Sequence, residues 1–227
     1  MIKTRIGIHN LVIRLRHAGL RDAALAVFRQ IRDRIYPPWY KLYWIAIPEL
    51  SEIPNCSNIP AGGTALNKYV ARFIDTVDLR IVSNLDELTE PELQALGQSV
   101  GASALRIFGQ RLSRGVELHI LFADGRVVGT VFYVLGRDHP FQHVVLTERD
   151  AMGLDGRIDF AYRGRGLYPV LLFLSMVHLS RRGIERLFAD CTESNQEAAR
   201  SFECVGFRFL MRYRLKSGGY VYDHKPL

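Results

Sequence analysis

The chain is poor in cysteine: 227 residues hold only Cys56, Cys191 and Cys204. None pairs as CxxC, and an odd number argues against a disulfide framework. No apolar run approaches the roughly 18 residues of a membrane span. The opening MIKTRIGIHNLVIRLRHAGL scatters basic residues among apolar ones, unlike the clean apolar block and small-residue cleavage site of a secretory leader. A cytoplasmic protein is expected. Neither GxxxxGK[ST] nor GxGxxG occurs, because Gly164-x-Gly166 runs on into Leu167, Tyr168 and Pro169. Zinc-finger spacing and RNA-binding aromatic signatures are missing too, so neither nucleic acid nor a metal is expected.

Acidic residues are scarce at one end. Residues 1–50 hold nine Lys and Arg against three Asp and Glu, while residues 51–227 hold 21 against 20. The basic excess therefore sits in the first fifth of the chain. Such a segment is either a solvated helix face or a docking surface for an anionic partner. An acidic carrier protein, or a membrane surface holding the protein peripherally, would meet it through residues 1–41. The rest is ordinary for a protein with a sizeable core: hydrophobic content is 48% and mean hydropathy is near zero.

The apolar pattern divides the chain into a helical, basic N-terminal extension at 1–76 and a second unit at 77–227. Helices are expected within 7–36, ended by Pro37-Pro38. The run KLYWIAI reads as a strand, PELSEIPNCSNIPAGG as a linker and 64–75 as a helix. From 77 onward the order is a strand, two helices (89–100 and 102–113), a hairpin turning at Asp124-Gly125, and a poorly patterned stretch at 137–155. Next come a strand at 156–162, an apolar helix at 168–182, a strand at 184–191, a helix opened by Ser194-x-x-Glu197, and a final hairpin. The strand–helix–strand unit over 157–191 makes its two strands parallel neighbours. An α/β (α+β) domain with a mixed sheet follows.

The stretch DFAYRGRGLYPVLLFL places Arg163-Gly164-Arg165-Gly166 between a strand and a helix. Unpartnered backbone N–H groups and the helix dipole make that junction an anion site. Glycines admit a ligand close to the backbone, and the two arginines add charge suited to phosphate oxygens.

Arg163-Gly164-Arg165-Gly166-Leu167 after a strand resembles the acyl-CoA signature [QR]-x-x-G-x-[GA] of the GNAT superfamily of N-acetyltransferases. After the next strand come Asn195 and a short helix ending in Gly206-Phe207, a second feature of that family. The resemblance covers about 77–227. It implies a GNAT-like fold: a mixed, mostly antiparallel sheet with helices on both faces, beside the helical extension. It also implies that the backbone of Arg163, Gly164, Arg165, Gly166, Leu167 and Tyr168 holds the pyrophosphate of acetyl-CoA. Main-chain groups of Ile158 and Phe160 would pair with the pantetheine arm, and Asn195 would bond near the thioester. Two positions depart from the pattern. Tyr168 replaces the usual Gly or Ala, and Phe202 stands where many members carry a tyrosine that protonates the departing thiolate.

The resemblance implies transfer of acetyl from acetyl-CoA to a small-molecule primary amine, with an amino sugar as the narrower expectation. Asp159 and Glu117 are the candidate catalytic bases. Asp190 and Glu193 are further carboxylates at a strand end, His119 shares a face with Glu117, and His178 reads as a satisfied core histidine. Two alternatives stay open: an acyltransferase taking its acyl group from acyl carrier protein, and a non-catalytic acyl-CoA-binding protein.

Overall fold

The computed structural model describes residues 38–47, 64–136, 146–216 and 219–222. The helices expected within 7–36, the linker at 48–63 and residues 137–145 lie outside these. Eight strands run in chain order: β1 (Tyr40–Ala46), β2 (Val77–Val82), β3 (Glu117–Ala123), β4 (Arg126–Leu135), β5 (Asp150–Ile158), β6 (Arg186–Thr192), β7 (Arg208–Lys216) and β8 (Gly219–Tyr222). The helices are α1 (Thr64–Phe73), α2 (Glu90–Val100), α3 (Ala102–Leu112), α4 (Leu167–Arg181) and α5 (Gln196–Val205). All strands join one sheet in the order β2-β3-β4-β5-β6-β1-β7-β8. Only β5 and β6 are parallel; every other neighbouring pair is antiparallel. This is the mixed, mostly antiparallel sheet that the sequence predicts.

Alternation along the strands separates two cores. Leu118, Ile120 and Phe122 of β3 pack with Leu96, Val100, Ala104 and Phe108 of α2 and α3. Leu121, Val131 and Tyr133 face the other way, against α4, α1 and α5. Helix α4 is apolar all round and buried from Leu167 along most of its length, the pattern of a central crossover helix. Helices therefore cover both faces. Asp124 and Gly125 turn the β3–β4 hairpin with φ of 49° and 69°, the left-handed pair that a tight hairpin requires.

Two elements differ from expectation. The strand expected at 41–47 inside a separate extension is β1, and it lies between β6 and β7, with Leu42 opposite both Asp190 and Met211. Tyr43 and Ile45 of β1, with Leu66 and Val70 of α1, join the core that holds α4. The 76/77 division therefore crosses one sheet and one core. The second difference is β5. It begins at Asp150, inside the stretch that reads as unpatterned, and it ends at Ile158 rather than 162. The chain then enters a 3-10 turn, Phe160–Tyr162, capped by Asp159, whose Oδ1 accepts from Ala161 N at 3.0 Å. That cap stops the strand.

Candidate active site

Strands β5 and β6 pair only from Asp150↔Arg186 to Gly153↔Ala189. Beyond that point β5 continues beside β4 alone, and its β6-facing edge from Leu154 to Ile158 has no strand partner among the described residues. The pairing with β4 explains the divergence. Thr130 and Phe132 of β4 face Arg157 and Leu154 of β5, so β5 carries an extra residue there. This is a bulge at Asp155-Gly156, with Asp155 at φ 48°, and bulges bend a strand and increase its twist. A cleft opens at the carboxyl ends of the two parallel strands, where open α/β sheets bind ligands.

The arginine–glycine turn lies at this end of the sheet. Gly164 and Gly166 have φ of 73° and 85°, and Gly166 caps α4. No acceptor among the described residues takes the N–H groups of Gly164, Arg165 or Gly166. Leu167 and Tyr168 open the helix, so their N–H groups have no partner in it. The arginines flank the turn on aromatic supports: Arg163 over Phe160 at 5.4 Å and Arg165 over Tyr162 at 5.3 Å. Arg163 Nε also donates to Ile158 O at 3.1 Å. Tyr69 of α1 lies against Gly166, where a Cβ would come within 2.3 Å of its ring. The turn therefore rests on a helix from the expected extension.

Tyr168, one of the two departures from the family pattern, turns its ring into the cleft. Its hydroxyl meets the bulge so closely that a Cβ on Gly156 would lie 2.2 Å away. Beside it is Phe202, with ring centroids 6.1 Å apart; Phe202 also packs on Tyr43 and Phe207. Phe202 offers no proton, but the Tyr168 phenol stands next to it. Burial pushes that phenol well above its usual range, so it keeps its proton at neutral pH. Between these rings a cavity of about 20 Å³ is lined by residues including Tyr133, Asp155, Gly156, Leu172, Asp190 and Phe202. It has room for about one water.

Asp190 of β6 also lines this cavity, with its side chain on the sheet face that carries Phe188 and Tyr213. Its Oδ2 accepts a short hydrogen bond from the Tyr213 hydroxyl of β7. Burial pushes its pKa up to about 6; the Tyr213 bond opposes the rise, and the nearby Asp155 charge adds to it. Asp155 itself is exposed and paired with Arg111 of α3. A carboxyl with a pKa near 6 is ionised at physiological pH yet basic enough to accept a proton.

The structure gathers some predicted residues and separates others. Arg163, Gly164, Arg165, Gly166, Leu167 and Tyr168 form the turn, and Asn195 lies at the same edge because β5 and β6 run parallel. Asn195 is the cap of α5, accepting from Ala198 N at 3.2 Å; the expected Ser194–Glu197 box does not form that cap. Ile158 ends β5, but Phe160 belongs to the 3-10 turn and is not extended. Asp159 is occupied as that turn's cap and also accepts from Ser99 Oγ at 3.1 Å. Glu117 pairs with Arg182 just beyond α4, so about 22 Å of helix separates that arginine from the turn. Neither candidate base is placed for the cleft. Glu193 pairs with Arg212 at 3.0 Å. Asp190, by contrast, needed Tyr213 and the bulge to mark it out, and no local sequence signal joins those three.

No protein-family model and no curated protein matches the chain. Solved structures do match. The GCN5-related glucosamine N-acetyltransferase region of a fungal multi-domain GH3 β-N-acetylglucosaminidase aligns with 87% of this chain and 23% of that one, at 14% identity and TM-score 0.51. A GNAT-family acetyltransferase from Colwellia psychrerythraea aligns over 76% and 53% of the two chains, at 14% identity and TM-score 0.48. For a GCN5-related N-acetyltransferase from Sphaerobacter thermophilus the values are 89%, 58%, 17% and 0.45. The chain spans less than two thirds of each of these three. At such identities the likeness is one of fold. The chain is thus similar in fold to the glucosamine N-acetyltransferase region, the match with a TM-score of 0.51.

Proposed function

We propose that the protein is an acyl-CoA-dependent N-acetyltransferase acting on a primary amine of a small molecule. The observation that carries this reading is the turn: three unpartnered N–H groups and two arginines at the N-terminus of α4, opening onto the β5–β6 cleft. Backbone donors and arginines are the chemistry a pyrophosphate requires. The unpaired edge of β5 offers main-chain groups to the amides of a pantetheine arm, running from the turn toward the bulge.

Acetyl-CoA supplies an activated thioester. Asp190 takes the proton that the attacking ammonium must lose, and Tyr213 orients the carboxylate. The neutral amine adds to the thioester carbonyl, and the tetrahedral adduct collapses as its C–S bond breaks; the Tyr168 hydroxyl gives its proton to the departing thiolate and recovers one from the new amide nitrogen. Backbone N–H groups at the Asp155-Gly156 bulge stabilise the oxyanion. Among acceptors, amino sugars come first for screening; the solved structure at TM-score 0.51 is a glucosamine N-acetyltransferase region.

Calorimetric titration with acetyl-CoA tests the binding step. One equivalent should bind, and Arg163→Glu should weaken it at least about tenfold by reversing a phosphate-facing charge. Thiol release with a panel of amino sugars then tests transfer. No binding to the wild type would overturn the proposal. Binding without turnover of any amine would leave only an acyl-CoA-binding protein.

A further inference from the structure

A second polar cluster interrupts the core between β3 and the C-terminal half of α4. Glu117 and His119, two residues apart on β3, point to the same side of the sheet. They meet His178, which lies one helical turn from Ser175 on α4. One ligand atom from each of Glu117, His119 and His178 fits within a sphere of contact where all lie within 4.8 Å of one another. We propose that these three side chains bind one divalent transition-metal ion, with zinc the best match.

The orphaned atoms point to a ligand. His119 is 0% exposed, and its Nε2 has no hydrogen-bond partner. Glu117 Oε2 and His178 Nε2 are buried and unpartnered as well, so His178 is not the satisfied core histidine that the sequence suggests. Buried polar atoms normally find partners, and here three without any belong to the three side chains whose ligand atoms cluster. One cation would satisfy all three. The His119 ring is already oriented, because Nδ1 contacts Ser175 Oγ at 2.9 Å. That contact leaves Nε2 directed at Glu117 Oε2, 3.8 Å away, too far for a hydrogen bond. A hydrogen-bond partner on the other ring nitrogen is the usual arrangement behind a metal-bound imidazole.

The donor set selects the ion. Two imidazoles and a carboxylate suit zinc, cobalt or nickel, whereas calcium and magnesium take oxygen and copper(I) takes sulfur. In a four-coordinate site with bonds near 2.0–2.1 Å, ligand atoms lie about 3.4 Å apart, so small side-chain rotations close the present spacing. Burial holds both imidazoles below the usual histidine range, which leaves them neutral and able to coordinate. One feature opposes a cation: Arg182 pairs with Glu117 Oε1. Its side chain is 44% exposed and can turn to solvent, and Oε2 remains for the metal.

The test is cobalt and zinc binding by the 227-residue chain, without a histidine tag, after chelator treatment and dialysis. Cobalt should bind at one equivalent with the visible ligand-field bands of a four-coordinate site, and zinc should displace it. His178→Gln, at a partly exposed position, should weaken binding at least about tenfold. Arg182→Gln should tighten it about fivefold by removing the opposing charge, an effect that general disruption of the region would not produce. Absence of stoichiometric uptake by the wild type would overturn the proposal and leave a bridging water, or a protonated His119 on Glu117. Uptake undiminished in His178→Gln would overturn it equally, because the ion would then be held elsewhere.

Discussion

Two aspartates stand at opposite ends of the β5–β6 junction, and their surroundings drive them in opposite directions. Asp150, at the zipped end, is 0% exposed and accepts from Arg186 Nε and Nη2, both at 2.6 Å, and from Thr147 N and Oγ1. Burial alone would raise its pKa, but the Arg186 and Thr147 bonds hold it below the usual carboxylate range. Asp190, beside the splayed end, has a phenol and no cation as hydrogen-bond partner among the described residues, and burial carries it up to about 6. A guanidinium converts a buried carboxyl into a clamp. Without one, the carboxyl titrates near neutrality, which suits a base rather than a brace.

The sharpest way to break this contrast is Asp190→Asn. Loss of a positioned general base costs about 10²- to 10⁴-fold in rate, so kcat with a competent amine should fall by at least about a hundredfold while acetyl-CoA affinity stays unchanged. Stability should move the other way. Because the folded pKa is raised, the Asp190 contribution is full below the unfolded value and is lost as pH rises through about 6. At pH 8 the substitution should therefore leave the fold unharmed or stabilise it by up to about 2 kcal/mol. Denaturant melts at pH 8 measure this, and a strongly destabilised Asp190→Asn would mark the residue as structural.

Asp150→Asn is the counterpart. It leaves Arg186 without its buried anion and should cost about 3 kcal/mol at pH 7. The depressed pKa sets the pH window. Asp150 stabilises the fold above its unfolded value, and this is lost as pH falls through the folded one. The gap between wild type and Asp150→Asn should therefore narrow in acid, below about pH 4. Equal stability of the two at pH 7 would mean that the Arg186 clamp does not hold the strands together.

The two aspartates also mark where the sequence was readable. The glycine turn, the Asp124-Gly125 hairpin and helix α4 were legible because their signals are local: positive φ at glycine, a turn dipeptide, an unbroken apolar stretch. Asp150 hid at the start of a strand whose alternation is spoiled by its own bulge, where Asp155 and Gly156 add an extra residue. The place of β1 was illegible for another reason. KLYWIAI announces a strand, but its partners β6 and β7 lie more than 130 residues onward, and nothing in seven residues names them. Asp190 depends on the same distant pairing, since β1 separates its strand from that of Tyr213. Strand and face single out Asp159 and Glu117 in the sequence, but local bonds occupy both.

The smallest expected effect sharpens the contrast most finely. Tyr213→Phe removes the hydrogen bond that, among the described residues, opposes the rise of Asp190, and it keeps the ring that stacks on Tyr40 at 5.3 Å. A hydrogen bond to a charged acceptor contributes about 1.5–3 kcal/mol, so losing it should lift the Asp190 pKa by about one unit. The base must be ionised to act. The acid limb of kcat/KM should therefore move to higher pH by that amount, with the rate at pH 9 nearly restored. A uniform loss at every pH would instead make Tyr213 a positioning residue alone. An unchanged acid limb would mean that Asp190 is not the group whose ionisation limits the reaction.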